Sequence, residues 1–462
     1  MRRRVSLALV FAVVAAAVTL PATALEVTTS ALPVSPLVHL DPGAGYFTSP
    51  NLEYIGTLRN DAPGVGARVL TVDGQKRLYM TGVRGLSIYD VDDPAQPQLL
   101  GHLEIPHWEN EDVTVSRDGR TVLMSEFMGT YMHVVEVRDL PNGLLLPVIV
   151  GFTEGPSGHI VDCVDDGCDW VYGSEGVIID LRDKTNPVVT DRNWARLNGL
   201  PTNGHNLQFD DTGLLWTDTT PISALDVSDP LNPVAIVKGD KAVQTENRTA
   251  YQHNNLRPNA RLYKQRGIDA KGIKPGALLM GNGETNFSGT CQDDSGPFST
   301  YRIKDMTPGT TDALQIADVF RPVSGDYADG NPAVNGLGCS GHWFTIQPED
   351  LTAGKKIPAS YDVAAAWYEH GTRLLNVDAS TGEITQKGYF QPVVGAASAA
   401  YWIDNEYIYV VDYERGIDVL RFDANARVPT TLEFDASWLA KAGVTSPLAE
   451  RERYLCRLVT QG

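Results

Sequence analysis

Basic charge is scarce in this chain. Its 462 residues carry 38 lysines and arginines against 57 aspartates and glutamates, a formal net charge of −19 at pH 7. That balance disfavours nucleic acid and anionic membrane surfaces, because both demand a cationic face. It suits solubility and draws cations. Cysteine is scarcer still, at five. No Cys-x-x-Cys pair occurs, which argues against a structural zinc site. There is no Gly-x-Ser-x-Gly elbow and no phosphate loop, so serine-hydrolase and nucleotide-hydrolase readings have no support. Long apolar runs are missing too, apart from residues 5–17, and that run falls short of the roughly 20 residues a membrane span needs.

The one apolar run has its own explanation. Arg2, Arg3 and Arg4 precede it, and Ala22-Thr23-Ala24 follows as a small-residue cleavage site. Together these are the three parts of a secretory signal. Residues 1–24 therefore read as a leader, and the protein as secreted or extracytoplasmic, with no membrane span in the mature chain. Export permits disulfides. Cys163 and Cys168 flank the turn sequence Val164-Asp165-Asp166-Gly167 and are placed to bridge two hairpin arms. Cys291 and Cys339 lie in glycine-rich loops and are candidates for a second pair. Cys456 is left over, and other pairings stay open.

What the chain has in quantity is repetition. Residues 78–101 read LYMTGVRGLSIYDVDDPAQPQLLG, a strand, a tight turn, an alternating strand, a proline-bounded reversal and a further strand. The phrase returns as VIIDLRDKTNPVVTD from Val177 and as ISALDVSDPLNPVAIV from Ile222. A unit that recurs at this period means a repeat architecture. Seven units can be counted between residues 51 and 432. LEYIGTL at residues 52–58 reads as a fourth strand without its first three. YWIDNEYIYVVDYERGIDVLRF near the other end reads as three strands without a fourth. An orphan at each end predicts a closed ring, which leaves no exposed sheet edge. The expectation is an all-β fold, a seven-bladed β-propeller closed by an N-terminal strand. Residues 25–50 read as loosely ordered. Residues 433–462 form a tail in which Ser446-Pro447 opens a short helix, with Leu448, Leu455, Leu458 and Val459 on one face.

Five units begin with the same residue. These are His107, His159, His205, His253 and His342, separated by 52, 46, 48 and 89 residues. First strands line a propeller's channel, so equivalent positions converge on the axis. Neutral imidazole is the commonest metal ligand, and several meeting at one point suit copper, zinc or iron. A second register places acids at the end of the second strand: Glu126, Glu175, Asp218, Glu284, Glu369 and Glu414, with His370 beside Glu369. These acids are expected near the histidines, as base or as carboxylates that orient a metal-bound ring. The competing reading is structural, with each histidine latched to a turn acid of its own or the adjacent blade. Units one and seven lack the histidine, with Ala67 and with Ser398 or Ala399 near that place, an asymmetry a latch does not explain. Asp162, Asp165, Asp166 and Asp169 lack calcium-loop spacing and read as a solvated hairpin tip. Asn247-Arg248-Thr249 and Asn286-Phe287-Ser288 match the glycosylation pattern.

The phrases GLSIYDVDDPAQPQLLG, GVIIDLRDKTNPVVT and ISALDVSDPLNPVAIV resemble the LVIVD repeat, a β-propeller repeat of secreted and surface proteins of bacteria and archaea. The resemblance covers three units. It implies a propeller in an extracytoplasmic setting, and it implies no settled activity and no catalytic residues. A looser likeness, in architecture and histidine ring alone, is to the selenium-binding protein and methanethiol oxidase family, whose channel histidines bind copper. Two functions follow. One is a secreted binding or scaffold module that meets an unidentified protein or small-molecule ligand at the channel mouth, read as a monomer. The other is a metal-dependent oxidoreductase or lyase using the channel histidines.

Overall fold

Each of the seven expected units forms an antiparallel sheet in the computed structural model of the chain, which describes residues 46–58, 64–105, 111–126, 128–202, 204–239, 251–262, 273–274, 276–284, 296–322, 340–351, 357–392 and 395–426. All of them belong to one of the chain's two compact units, Val34–Gly462; of the other, Met1–Pro33, no residue is described. Several expectations therefore lie outside the described residues. They are the leader, the C-terminal helix, Cys291, Cys339, Cys456, both glycosylation patterns and His107. No helix among the described residues is long and apolar enough to cross a membrane.

The repeat phrase owes its shape to paired aspartates. The first, at Asp90, Asp180 and Asp226, accepts the N–H two residues on, at 2.9, 3.1 and 3.0 Å. The second, at Asp93, Asp183 and Asp229, does the same at 3.1, 3.0 and 3.1 Å. The carbonyl of that second aspartate then accepts from the residue three on, closing a β-turn. Each carboxylate mimics a backbone acceptor, which is why aspartate recurs at turns. The chain is thus reversed three times by the same local chemistry.

Blade one shows the common pattern, with strands Gly64–Val72, Gln75–Gly82, Gly85–Asp90 and Gln98–Glu104 in sequential order. The inner strands of blades two to six are Thr114–Val115, Val161–Cys163, Leu207–Phe209, Tyr251–Leu256 and Phe344–Ile346. Blade seven combines Ala397–Trp402, Tyr407–Asp412 and Gly416–Phe422 with Leu52–Leu58, so the N-terminal strand closes the ring as expected. One strand was not foreseen. Tyr46–Thr48, inside the stretch read as loosely ordered, pairs with Ile384–Pro392 as a fifth strand on blade six.

The core lies between blades. Tyr79, Leu86 and Ile88 of blade one pack on Val113, Val122 and Met124 of blade two. Further buried clusters join each successive pair of blades. Tyr409, Val411 and Val419 of blade seven meet Leu78 and Met80 of blade one. No blade buries its faces alone, so stability is a sum of neighbour contacts around a closed circle. Cys163 and Cys168 are bonded, as the turn between them predicted.

Candidate metal centre in the channel

The first hairpin of each blade fixes where its inner strand begins. The N–H groups of Ser116, Val164, Asp210, Gln347 and Ile403 close that hairpin in five blades. Counting five residues back from each reaches Glu111, His159, His205, His342 and Ser398. In blade one, whose hairpin closes at the Val72–Gln75 pair, the same count reaches Ala67. Blade five has a bulge between Gln252 and Asn254 and contributes His253. In blade two this register position belongs to Glu111; His107, four residues earlier in the sequence, lies outside the described residues.

Four imidazoles converge on that carboxylate. The Nε2 atoms of His159, His205 and His253 lie 3.6, 3.5 and 3.0 Å from Glu111 Oε2. His342 Nε2 lies 3.2 Å from Oε1. Successive rings are 4.7, 4.1 and 3.7 Å apart between centroids, in blade order. Tyr413 donates to Glu111 Oε1 at 3.3 Å. Two trios, Glu111 with His159 and His205 and Glu111 with His253 and His342, each bring their ligand atoms within 4.8 Å of one another. Donors bonded to one ion at 2.0–2.1 Å sit roughly 3–3.5 Å apart, which is the spacing found between the Glu111 oxygens and the rings.

The electrostatics sort the rings into roles. Burial alone would push Glu111 up. The positive potential of His342, His253 and His205, with a hydrogen bond from His159, outweighs it and holds the carboxyl well below its usual range. Burial would likewise depress His342. The Glu111 charge, its hydrogen bond and Glu284 reverse that and raise it to about 9. His253 falls to about 4, through burial first and then the His342 charge. His205 is also held well below its ordinary value, chiefly by burial. At neutral pH, His205 and His253 are thus neutral, the form that ligates metals. His342 Nδ1 lies 2.5 Å from the Ser398 carbonyl. A carbonyl only accepts, so Nδ1 carries a proton; with its pKa raised, His342 is protonated at Nε2 as well at neutral pH and hydrogen-bonds Glu111 Oε1 at 3.2 Å. As a metal ligand His342 would have to give up that Nε2 proton.

The acids of the second register divide. Glu284 joins the site. Its Oε1 accepts from Tyr368 at 2.7 Å, its Oε2 has no hydrogen-bond partner among the described residues, and burial raises it to about 7. The Tyr368 ring meets His342 at a tilt, 4.7 Å between centroids, and Tyr368 holds φ +37, a left-handed conformation costing a tyrosine ~1–3 kcal/mol. Paired backbone hydrogen bonds with Ala397, at 3.0 and 2.9 Å, keep it there. Burial raises Glu175, and the charge of His159 with a hydrogen bond from its backbone N–H offsets part of that rise. Glu126 instead caps its own turn, accepting from Met128 N, Thr130 N and Thr130 Oγ1. Glu369 and His370 are buried in blade six. Glu414 follows Asp412, whose Oδ1 takes its N–H.

Asp218 is fully buried, and neither carboxyl oxygen has a hydrogen-bond partner among the described residues. Burial alone raises it well above the carboxylate range. A raised acid stabilises the fold below its unfolded pKa of about 3.9, and that benefit is lost as pH rises. Asp218→Asn removes the ionisation from the unfolded chain. The variant should be more stable than wild type by ~1–3 kcal/mol at pH 8 and near equal to it at pH 4. Urea denaturation at both values decides, and a gap independent of pH would count against the reading.

Sequence reasoning missed Glu111. The stretch HWENEDVTV holds a histidine and two other acids, and residue type drew attention to His107. The count back from the hairpin at Asp118-Gly119 was the available signal. No family model matches the chain, and no curated protein matches it. Among solved structures, the β-propeller domain of Cps50 (Swd1) from Myceliophteria thermophila aligns with a TM-score of 0.47 at 13% identity, covering 80% of this chain and 100% of that one.

Proposed function

We propose that this propeller is a metal-dependent enzyme, an oxidoreductase or lyase, whose ion is held on the channel axis by His159, His205, His253, His342 and Glu111. His253 carries the reading. It is completely buried, Nδ1 has no hydrogen-bond partner among the described residues, and Nε2 points into the cluster with Glu111 Oε2, 3.0 Å away, as its ion-pair partner. A buried imidazole whose polar atoms are only partly satisfied is costly. A cation at the convergence point would supply what its lone pair lacks. The latch alternative fares worse. The four rings of the described residues meet one shared carboxylate rather than a turn acid each.

The donors come together as two trios that share Glu111, one with His159 and His205 and one with His253 and His342. Imidazole and carboxylate donors of this kind would suit copper, zinc or iron. The binding-module reading rests on the architecture, a β-propeller, which serves commonly as a scaffold. Export and kinship with LVIVD-type propellers belong to the same proposal. They are supported by the leader pattern in residues 1–24, the three matching phrases and the Cys163–Cys168 disulfide.

Elemental analysis tests it directly. The mature protein should carry about one copper, iron or zinc ion per chain, and His253→Ala should lose it. A metal-free protein whose melting point ignores both chelators and added ions would overturn the proposal.

A further inference from the structure

The other end of the channel holds a chamber. Its volume is about 610 Å³, within the range of small-molecule sites. Its walls come from the first strands of blades one to five, in the stretch that runs on from the ring positions toward the hairpin turns. Leu70, Val115, Phe209 and Leu256 supply apolar surface. Arg68, Asp162 and Gln208 supply the deeper polar groups. Asp162, expected in a solvated hairpin tip, is in fact 7% exposed and faces this space. Arg68 lies 3.8 Å from Asp112, the chain neighbour of Glu111. The floor of the chamber thus sits one residue from the candidate metal centre.

The charges of the chamber are mostly committed. Asp166 pairs with Arg117 at the rim at 3.0 Å. Asp165 is turned inward to cap its turn, accepting from Gly167, Asp169 and Trp170. Asp162 accepts from Cys163 N, and burial raises it to about 7. Arg68 is held more loosely: it pairs with Asp112 at 3.8 Å and feels the charge of Asp162, yet it makes no hydrogen bond among the described residues, and its side chain is 41% accessible. A guanidinium presents five donors in a planar fork that matches a carboxylate. Gln208 Oε1 is buried without a hydrogen-bond partner, so it calls for a donor.

We infer that the chamber binds a small organic carboxylate, anchored by Arg68, with a hydroxyl or amine on the carbon next to the carboxylate donating to Gln208 Oε1. The apolar walls would take the rest of the molecule. Such a ligand lies beside the ring and is placed to be the substrate of the metal centre, although its binding does not depend on the ion.

Calorimetry on chelator-treated protein tests this, with mandelate, lactate and phenylacetate as carboxylates and benzyl alcohol as the control lacking one. Mandelate should bind with millimolar affinity or better. Phenylacetate, without the hydroxyl, should bind more weakly, and benzyl alcohol should not bind. Arg68→Gln should weaken mandelate at least ~10-fold. Leu256→Trp, which fills the chamber and leaves Arg68 in place, should abolish binding and serves if Arg68→Gln does not fold. Both variants should retain the metal content of wild type. If none of the three carboxylates binds, or if binding survives in both variants, the inference is wrong whatever the metal content. A metal-free protein that still binds mandelate through Arg68 supports the chamber and overturns only the metal centre.

Discussion

Glu111→Gln should strip the channel of its ion. The substitution keeps the shape of the side chain and removes the one charge that all four imidazoles share. Loss of a residue that merely orients a ligand costs 10–100-fold in metal affinity, and a direct ligand should cost at least that. Added copper or iron should raise the melting temperature of wild type and leave the variant nearly unmoved. The metal-free proteins should differ as well. With Glu111 present, His342 titrates at about 9, above its unfolded value of about 6.5. A raised histidine stabilises fully below its unfolded pKa, and that contribution fades as pH climbs through the folded one. Without Glu111 the cause of the raised value is gone. The metal-free variant should therefore be weaker than metal-free wild type by roughly 2–3 kcal/mol near pH 6.5, with the gap narrowing toward pH 9. Denaturation across that range, with and without metal, decides. A latch with no metal would show the same deficit whether or not ions were added.

The architecture was legible because it is repeated. A proline-bounded phrase with paired aspartates announces itself three times, and each aspartate does the same local work. Ring closure was legible because its two halves sit at opposite ends of the chain. His159, His205, His253 and His342 could be read from their common position. Glu111 could not be read by residue type, because a ring defined as histidine excludes the one position that supplies its charge. The chamber was harder still. Arg68 and Asp162 lie far apart in sequence and become neighbours only when blades one to three close around the axis. Asp162 in isolation belongs to an acidic turn, and its burial depends on the channel itself. Position in a closed ring, rather than local pattern, decides which of these side chains are wet.

Asp418→Ala should loosen the closure that makes the ring a ring. Arg415 and Asp418 are buried and paired twice, Nε to Oδ2 at 2.6 Å and Nη2 to Oδ1 at 3.0 Å. Thr57 Oγ1 of the N-terminal strand donates to Asp418 Oδ1, and Tyr54 shares a 2.5 Å contact with Thr57. The ion pair thus ties blade seven to the strand that arrives from the other end of the chain. Removing one partner strands a guanidinium in a dry site. Such breaks cost about 3–5 kcal/mol, whereas replacing both charges by apolar residues of similar volume is often neutral. Asp418→Ala should lose roughly that amount, and the Arg415→Met, Asp418→Leu double variant should recover most of it. Amide exchange adds a readout of place. In Asp418→Ala the amides of Leu52–Leu58 should exchange faster, while those of Val161–Cys163 across the ring keep their protection. If the loss stays under ~1 kcal/mol, below the usual cost of a broken buried pair, or if exchange accelerates equally in every blade, the pair is not what fastens the closing strand. The closing strand would then be held by its backbone ladder with Gly416–Phe422 and by the buried contacts of Leu52, Tyr54 and Leu58.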